Sequence, residues 1–466
     1  MSSPIGDPER GLVASIRDIL KIGPPSSSKF CISIVPGKLR RINKEAYTPQ
    51  LVSIGPFHHK NENLRKMETL KRQFLRSFVD RKPGIDVQEY VEAMKKREEE
   101  TRQCYAEDTS SINSNEFITM MLVDGCFILE FLLRNPRPLE QSNLDDPVFS
   151  NIWLSSAIKC DLILLENQLP FFVLVDLYNL NQGKGLNSLF ETVRYPFSHM
   201  MPKEEDVSSE NSKCSKVKQV LLGSVRDCCS SSSSSCCALP RENGGTVAVP
   251  TVKMPQVKHL LDFVRHCYIP SSAKISLVNG ELKLPHNVTQ LHEAGVKFEV
   301  GRGKCLLDLS FKNGVLAIPC INIEDWTESL FRNMIAFEQL HCSLPNPKFI
   351  TDYATLLDGI IASSKDVILL REHGIIKSLV GDHEQVSLIF NKLVKEVNID
   401  VGSFYFFDLC QKLNAYYRVT WHTWKAKLRH TYFSTPWMVI SFIVATLLLV
   451  LTLLQTIYTI KSYTSK

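Results

Sequence analysis

The sequence predicts a mainly α fold: a multi-helix globular body with a small antiparallel β-sheet, plus one C-terminal transmembrane helix. Three observations predict it. Apolar residues recur at helical spacing through most of the chain, one short stretch switches to β-branched runs punctuated by Gly and Asn, and an uncharged run near the end is long enough to cross a bilayer. With 466 residues, 44% hydrophobic and 22% charged, the chain has the composition of a folded protein rather than a disordered one. The formal net charge of +5 is small for this length and gives no argument for nucleic acid, which is not expected as a partner.

Taken in order, residues 1–28 end in a Gly-Pro-Pro-Ser-Ser-Ser cluster and read as a flexible N-terminus without the apolar core of a signal peptide. Ser2 follows Met1, so N-myristoylation is excluded. The body is expected over 29–430. Cys31 to His59 carries prolines and β-branched residues that suggest extended segments and turns. Between Lys38 and Lys82 there are 12 Lys/Arg against four acids, which reads as a solvated helix face. Helices are expected over 62–78 and 87–105. Phe117–Leu133 is strongly apolar but contains Asp124 and Glu130. A mid-membrane Asp costs about 2.5–3.5 kcal/mol, so a buried soluble helix is favoured there. Ile152–Tyr178 is a second apolar stretch, broken at Pro170, and with the first forms an expected central hairpin. Residues 202–255 turn Ser/Cys-rich and read as a disordered insert with a short helix over 217–227.

Beyond the insert, a helix is expected over 257–268 and a sheet of two to four strands over 297–323, with Lys312-Asn313-Gly314 as its hairpin signal. Asp325-Trp-Thr-Glu328 resembles a capping box opening a helix that runs through Glu338. Further helices are expected over 353–363, 366–372 and 382–397, and a long one from Gly402 to Arg429 leading to the membrane.

The anchor is expected over 437–460, with Trp437, Leu447, Leu454 and Ile460 marking its length. These 24 uncharged residues reach about 36 Å as a helix, enough for a hydrocarbon core of about 30 Å. Lys425, Lys427 and Arg429 precede the span and outnumber Lys461 and Lys466 after it, so the body is placed in the cytosol. The tail 461–466 is short, which suits post-translational insertion as a tail anchor. On the cytosolic side the Asn287-Val-Thr289 sequon is expected to stay unglycosylated and the 14 cysteines to be free thiols.

Chemistry-bearing patterns are few. Cys228-Cys229 and Cys236-Cys237 flank six serines, but vicinal pairs lack zinc-finger spacing. Glu338-Gln-Leu-His341 is a single Glu-x-x-His, where a di-metal helical site needs two. Asp124, Glu130, Asp161 and Glu166 are candidate buried polar groups; paired structural carboxylates are the favoured reading, a general acid/base pair the alternative. No nucleotide-binding, hydrolase or kinase signature is present. No catalytic residue, cofactor or metal is expected.

Six segments together resemble the plant family called domain of unknown function 247. They are VPGKLRRINKEAYTPQLVSIGPFHH at 35–59, FITMMLVDGCFILEFLL at 117–133, DLILLENQLPFFVLVDLY at 161–178, AGVKFE at 294–299, IEDWTESLFRNMIAFEQ at 323–339 and NAYYRVTWHTWKAKLRHTYFSTPW at 414–437. The resemblance implies a plant membrane protein of mainly helical fold with a C-terminal span. Some members of that family are associated with self-incompatibility in grasses, which implies recognition or signalling, and the family supplies no catalytic residues. The expected function is therefore that of a membrane-tethered protein-interaction or signalling component in the plasma membrane or endoplasmic reticulum, its partners the lipid bilayer and other proteins. The alternative is an enzyme acting on a lipid or small molecule near the membrane through the buried carboxylates.

Overall fold

The computed structural model describes residues 30–135, 146, 148–183, 185–201, 257–270, 280–303, 305–342, 348–379, 381–419 and 436–464, with positions 13, 16 and 17 before them. The expected N-terminal segment 1–28 (those three positions apart), the insert 202–255 and the basic residues Lys425, Lys427 and Arg429 lie outside the described residues.

The first half is organised around one helix. α1 (Lys66–Asp80), α2 (Val87–Arg102) and α3 (Ser114–Arg134) follow each other closely. Asp86 and Glu89 form a capping box at the start of α2, and Asn113 accepts the Glu116 N–H at the start of α3. α3 is apolar around most of its circumference, so it buries on every side. α1 packs along it, with Phe74 and Phe78 inward, and α2 and α5 (Phe171–Gln182) cover the rest. The α3–α5 crossing falls at Gly125, where an added Cβ would lie 2.5 Å from Leu177 Cδ1.

The apolar stretch 152–178 forms two helices, with the break at Pro170. α4 (Ile152–Leu162) stops before a non-helical stretch, and α5 starts directly after Pro170. Pro170 cannot donate a backbone N–H, and it disfavours helical backbone at Leu169. α5 ends at Gly183, whose left-handed φ of 61° closes the helix. α6 (Gly185–Arg194) follows.

Beyond the insert, α7 (Leu260–Tyr268) and α8 (Val288–Glu293) lead into β1 (Lys297–Val300), β2 (Ser310–Lys312) and β3 (Val315–Ile318). Asn313 and Gly314, both at positive φ, close the β2–β3 hairpin, with Phe311 opposite Leu316. The sheet is mixed rather than purely antiparallel, because β1 pairs in parallel with β3 and the order is β1-β3-β2. The physical reason is the connection 301–309. It is long enough to carry the chain past one strand position, and the hairpin then returns β3 into the gap. A separate parallel pair joins β4 (Ile321–Ile323) to β5 (Ile376–Ser378) across a helical crossover.

That crossover contains α9 (Thr327–His341), α10 (Phe349–Ile360) and α11 (Ser364–Glu372); α12 (His383–Leu393) and α13 (Phe407–Arg418) complete the body. The capping box expected at Asp325 is replaced by a Thr327 Oγ1 that accepts the Glu324 N–H at 2.9 Å, while Glu328 binds Arg332 at 2.7 Å. α13 begins at Phe407 rather than Gly402 and ends at Arg418, where Val419 turns extended; 420–429 of the expected helix lie outside the described residues. Apolar side chains from both sides of the insert, Ile32 to Met201 and Leu260 to Leu413, form one contiguous core.

α14 (Pro436–Thr464) holds the apolar run, with Ile440–Lys461 at a mean hydropathy of 2.4 and none of it buried against the body. Its hydroxyls bond back one turn: Ser441 to the Trp437 carbonyl at 2.9 Å, Thr446 to Phe442 and Thr452 to Leu448 at 2.8 Å. Each of these hydroxyls thus masks itself within the helix.

Candidate functional site

The end of α4 and its link to α5, Asp161 to Pro170, carry the buried polar groups Asp161, Glu166, Asn167 and Gln168. The link runs beside the extended segment Leu51–Gly55, whose backbone has no strand to pair with. A buried backbone without partners is strongly unfavourable, so side chains supply them. Asp161 Oδ1 accepts the Gln50 N–H at 2.9 Å, and Oδ2 accepts those of Leu51 and Val52 at 2.7 and 2.9 Å. Asn167 accepts the Ile54 N–H at 2.7 Å and donates to the Val52 and Asp161 carbonyls at 3.0 Å. Gln168 donates to the carbonyls of Leu162 and Leu164 at 2.7 and 2.8 Å.

Glu166 closes the same frame toward the N-terminus. It accepts the Val35 N–H at 2.6 Å, pairs with the Arg40 guanidinium, and lies 3.3 Å from His58 Nε2. Burial raises its pKa, but His58 and Arg40 more than reverse this and hold it below the usual carboxylate range. Asp161 is pushed up to about 6 by burial, against the pull of its three backbone donors.

Asp124 and Glu130 lie on α3, each with its own partners. Lys71, itself buried on α1, places Nζ 2.5 Å from Asp124 Oδ1 and 2.6 Å from Glu68, and donates to the Ser53 carbonyl at 2.9 Å. Asp124 Oδ2 accepts the Gly55 N–H at 2.8 Å. Gly55 is fixed there by its φ of +71° and by the Gln168 carbonyl, 2.8 Å from where a Cβ would stand. Glu130 is clasped by Arg81 at 2.6 Å and Arg134 at 2.5 Å, and Arg134 continues to Asp146 at 2.8 Å.

The four candidate carboxylates are thus buried and engaged: Asp161 and Asp124 hold the segment Gln50–Gly55, Glu166 the Val35 N–H, and Glu130 two arginines. A cavity of about 340 Å³ touches Asp124 and Lys71 and is lined also by His59, Glu68, Arg72 and Glu116. A second, of about 390 Å³, lies between β2 and the start of α13. Neither is lined by Asp161, Glu166 or Glu130.

Sequence reading missed a second frame beyond the insert. Glu338 is buried on α9, accepts from Arg265 Nε at 2.8 Å, and caps α10 through the Ile350 and Thr351 N–H groups at 3.1 and 2.8 Å. His341, one turn on, instead meets the Ser33 hydroxyl at 3.0 Å, so the Glu-x-x-His pair does not converge. His259 accepts the Asp262 N–H at Nδ1, which leaves Nε2–H to donate to the Cys31 carbonyl at 3.1 Å; burial pulls its pKa down to about 3. Asn333 ties the halves together, accepting the Leu165 N–H at 2.8 Å and donating to the Ala46 carbonyl at 2.7 Å. The sequence signals for this frame were the Glu338-Gln-Leu-His341 pattern and polar residues in otherwise apolar helices. Among the described residues, no group of three or more His, Cys, Asp or Glu is placed to hold a metal ion.

Trp437, Leu447, Leu454 and Ile460 lie along α14 and are 78%, 57%, 47% and 60% exposed, an unmasked apolar surface that a hydrocarbon solvent would satisfy.

The fold and this site define a helical body braced by internal polar frames, with one C-terminal helix long and apolar enough to cross a membrane. By sequence, the chain belongs to the DUF247 family, described as plant protein of unknown function, whose family model matches residues 32–451. It is similar to UPF0481 protein At3g47200 of Arabidopsis thaliana, 28% identical with 96% of this chain and 89% of that protein covered. It is also similar to a second Arabidopsis thaliana UPF0481 protein, At3g02645, 26% identical with 90% and 88% covered. No solved structure matches the chain.

Proposed function

We propose that this chain is a single-pass membrane protein whose helical body faces the cytosol and acts as a protein-interaction component in recognition or signalling. The observation that carries the reading is α14. Its apolar side chains are exposed from Ile440 to Ile460, a surface of that size is untenable in water, and a bilayer satisfies it. Anchoring concentrates the body at one surface, where it meets membrane-bound partners without a three-dimensional search.

The partners of the buried carboxylates support this reading over an enzyme. A general acid or base needs a proton within reach of a substrate. Asp161 and Glu166 are committed to backbone N–H groups, Arg40 and His58, Glu130 to two arginines, and Asp124, the one of the four that lines a cavity, to Lys71 and the Gly55 N–H. They brace the scaffold on which an interaction surface is displayed.

The test is proximity labelling in plant cells with the full chain and with a chain lacking 437–466, together with protease protection of tags at both ends. The reading requires neighbours that depend on the anchored body and an N-terminal tag open to protease on the cytosolic face. A protected N-terminal tag, or identical neighbours for both chains, overturns it.

A further inference from the structure

At the edge of the first frame two thiols lie side by side. Cys31 stands in the N-terminal stretch of the body that leads to Val35 and Arg40, and Cys104 just after α2. The Cys104 carbonyl accepts the N–H groups of Cys31 and Ile32 at 2.9 and 3.0 Å, and the Ala106 N–H donates to the Ile32 carbonyl at 2.9 Å. Ile32 and Tyr105 form a parallel bridge, so Cys31 and Cys104 are lateral neighbours, one step back on each strand. Neighbouring strands lie about 4.8 Å apart, inside the range of about 4.4–6.8 Å between Cα atoms that a disulfide spans. Both thiols are unbridged, and that of Cys104 donates to the Glu100 carbonyl at 3.4 Å.

The pair is asymmetric. Cys31 is 4% exposed, whereas Cys104 is half-buried and open to a small reagent. The adjacent Cys31 thiol, helped by the Lys258 ammonium, holds the Cys104 pKa below the ordinary thiol value against burial and Glu100; the neighbouring Cys104 and burial raise that of Cys31. One thiol is thus disposed to react and the other to resolve.

We propose that Cys31 and Cys104 are a reversible oxidation site, in which a peroxide converts the two thiols into a disulfide that locks the N-terminal segment to the end of α2. The Cys104 thiolate attacks one peroxide oxygen, the O–O bond breaks, and a sulfenic acid and one water result. The Cys31 sulfur then attacks the Cys104 sulfur, and the S–O bond breaks. Its thiol proton joins the departing hydroxide as a second water. One peroxide is reduced and two thiols are oxidised. A dithiol reductant reverses the step by exchange at the more exposed Cys104 sulfur, returning a proton to Cys31. The locked segment is the one whose Val35 N–H and Arg40 hold Glu166, so the bond secures the first frame.

The experiment uses the full chain in detergent micelles, titrated with hydrogen peroxide, alkylated, and mapped by peptide mass with and without dithiothreitol. The expected result is a linked peptide pair containing Cys31 and Cys104, 2 Da lighter than the two thiols, reversed by dithiothreitol. Closing a loop of this length raises the melting temperature by about 5 °C. Cys104→Ser abolishes link and shift, and Cys31→Ser leaves a sulfenic acid on Cys104 that dimedone captures. If Cys31→Ser fails to fold, the wild-type map and Cys104→Ser decide. Full alkylation of both thiols after peroxide, or a Cys104 that proceeds to sulfinic acid in the wild-type chain without a link, overturns the proposal.

Discussion

Lys71 and Asp124 form a buried ion pair, Nζ to Oδ1 2.5 Å, between the two most closely packed helices of the first half. Burial raises the Asp124 pKa and Lys71 opposes the shift; burial lowers the Lys71 pKa, and Asp124 with Glu68 more than reverses it. Such a pair adds little net stability, yet removal of one partner leaves an uncompensated charge. Lys71→Met is expected to destabilise the body by about 3–5 kcal/mol. The Lys71→Met/Asp124→Asn double variant is expected to be less impaired than the two single losses added together, because no charge is then stranded. Urea unfolding of the three variants measures this, and strict additivity would refute the pairing.

Asn167 satisfies three buried backbone groups at once: the Ile54 N–H and the carbonyls of Val52 and Asp161. Asn167→Ala strands all three, and Asn167→Asp removes two donors while adding a charge near Asp161. Each is expected to lower stability by about 2–4 kcal/mol, the aspartate more than the alanine at pH 7. Denaturation midpoints of the full chain in detergent check the order; equal midpoints for wild type and Asn167→Ala contradict it.

Gly55 joins the same frame to α3. Any side chain there meets the Gln168 carbonyl at 2.8 Å and must adopt positive φ. Gly55→Ala is expected to cost about 2 kcal/mol or more, in contrast to the usual gain from Gly→Ala in a relaxed backbone. A variant as stable as wild type, by melting temperature, would show that the loop can move away.

Asp352 is 3% exposed, and burial, with Glu338 and Asp400 nearby, pushes its carboxyl up to about 8. Its folded pKa lies above the ordinary 3.8, so the folded chain binds more protons than the unfolded one between these values. This contribution is complete below pH 4 and is lost as pH rises through about 8. Asp352→Asn keeps an acceptor for the Tyr405 N–H, 2.9 Å away in the wild type, and removes the charge. It is expected to melt higher than wild type at pH 9 and to flatten the decline between pH 6 and 9. Parallel pH profiles of the two proteins would contradict the assignment.

Helices were legible in the sequence where the pattern is long and sustained, as over 87–105 and over the apolar run of α3; the cap at Asp86–Glu89 was not read from it. The hairpin was legible from Asn313-Gly314, because that pair accepts positive φ. The parallel placement of β1 was not, since register between distant strands leaves no local trace. The candidate carboxylates stood out as charges within apolar runs, but their roles did not. Asp161 serves Gln50 across 111 positions, and Leu165 meets Asn333 across 168. Of the basic residues between Lys38 and Lys82, Lys71 is fully buried and Arg40 half-buried, while Arg72 and Arg76 stay exposed. Composition alone does not separate an inward cation from an outward one.

The anchor reading makes the sharpest demand on Leu447 and Leu454, which lie seven residues apart within the span Ile440–Lys461. Seven residues are nearly two turns, so both side chains lie on one face of α14, well inside both ends. An arginine at mid-span costs about 2.5–3.5 kcal/mol on insertion scales, and near the ends it escapes to the interface. Leu447→Arg/Leu454→Arg together are therefore expected to exceed the gain supplied by the remaining apolar residues, releasing the chain from alkaline-washed membranes. Leu447→Ala/Leu454→Ala should stay in the pellet. Equal retention of the arginine and alanine pairs would mean that the body, rather than α14, holds the protein to the membrane.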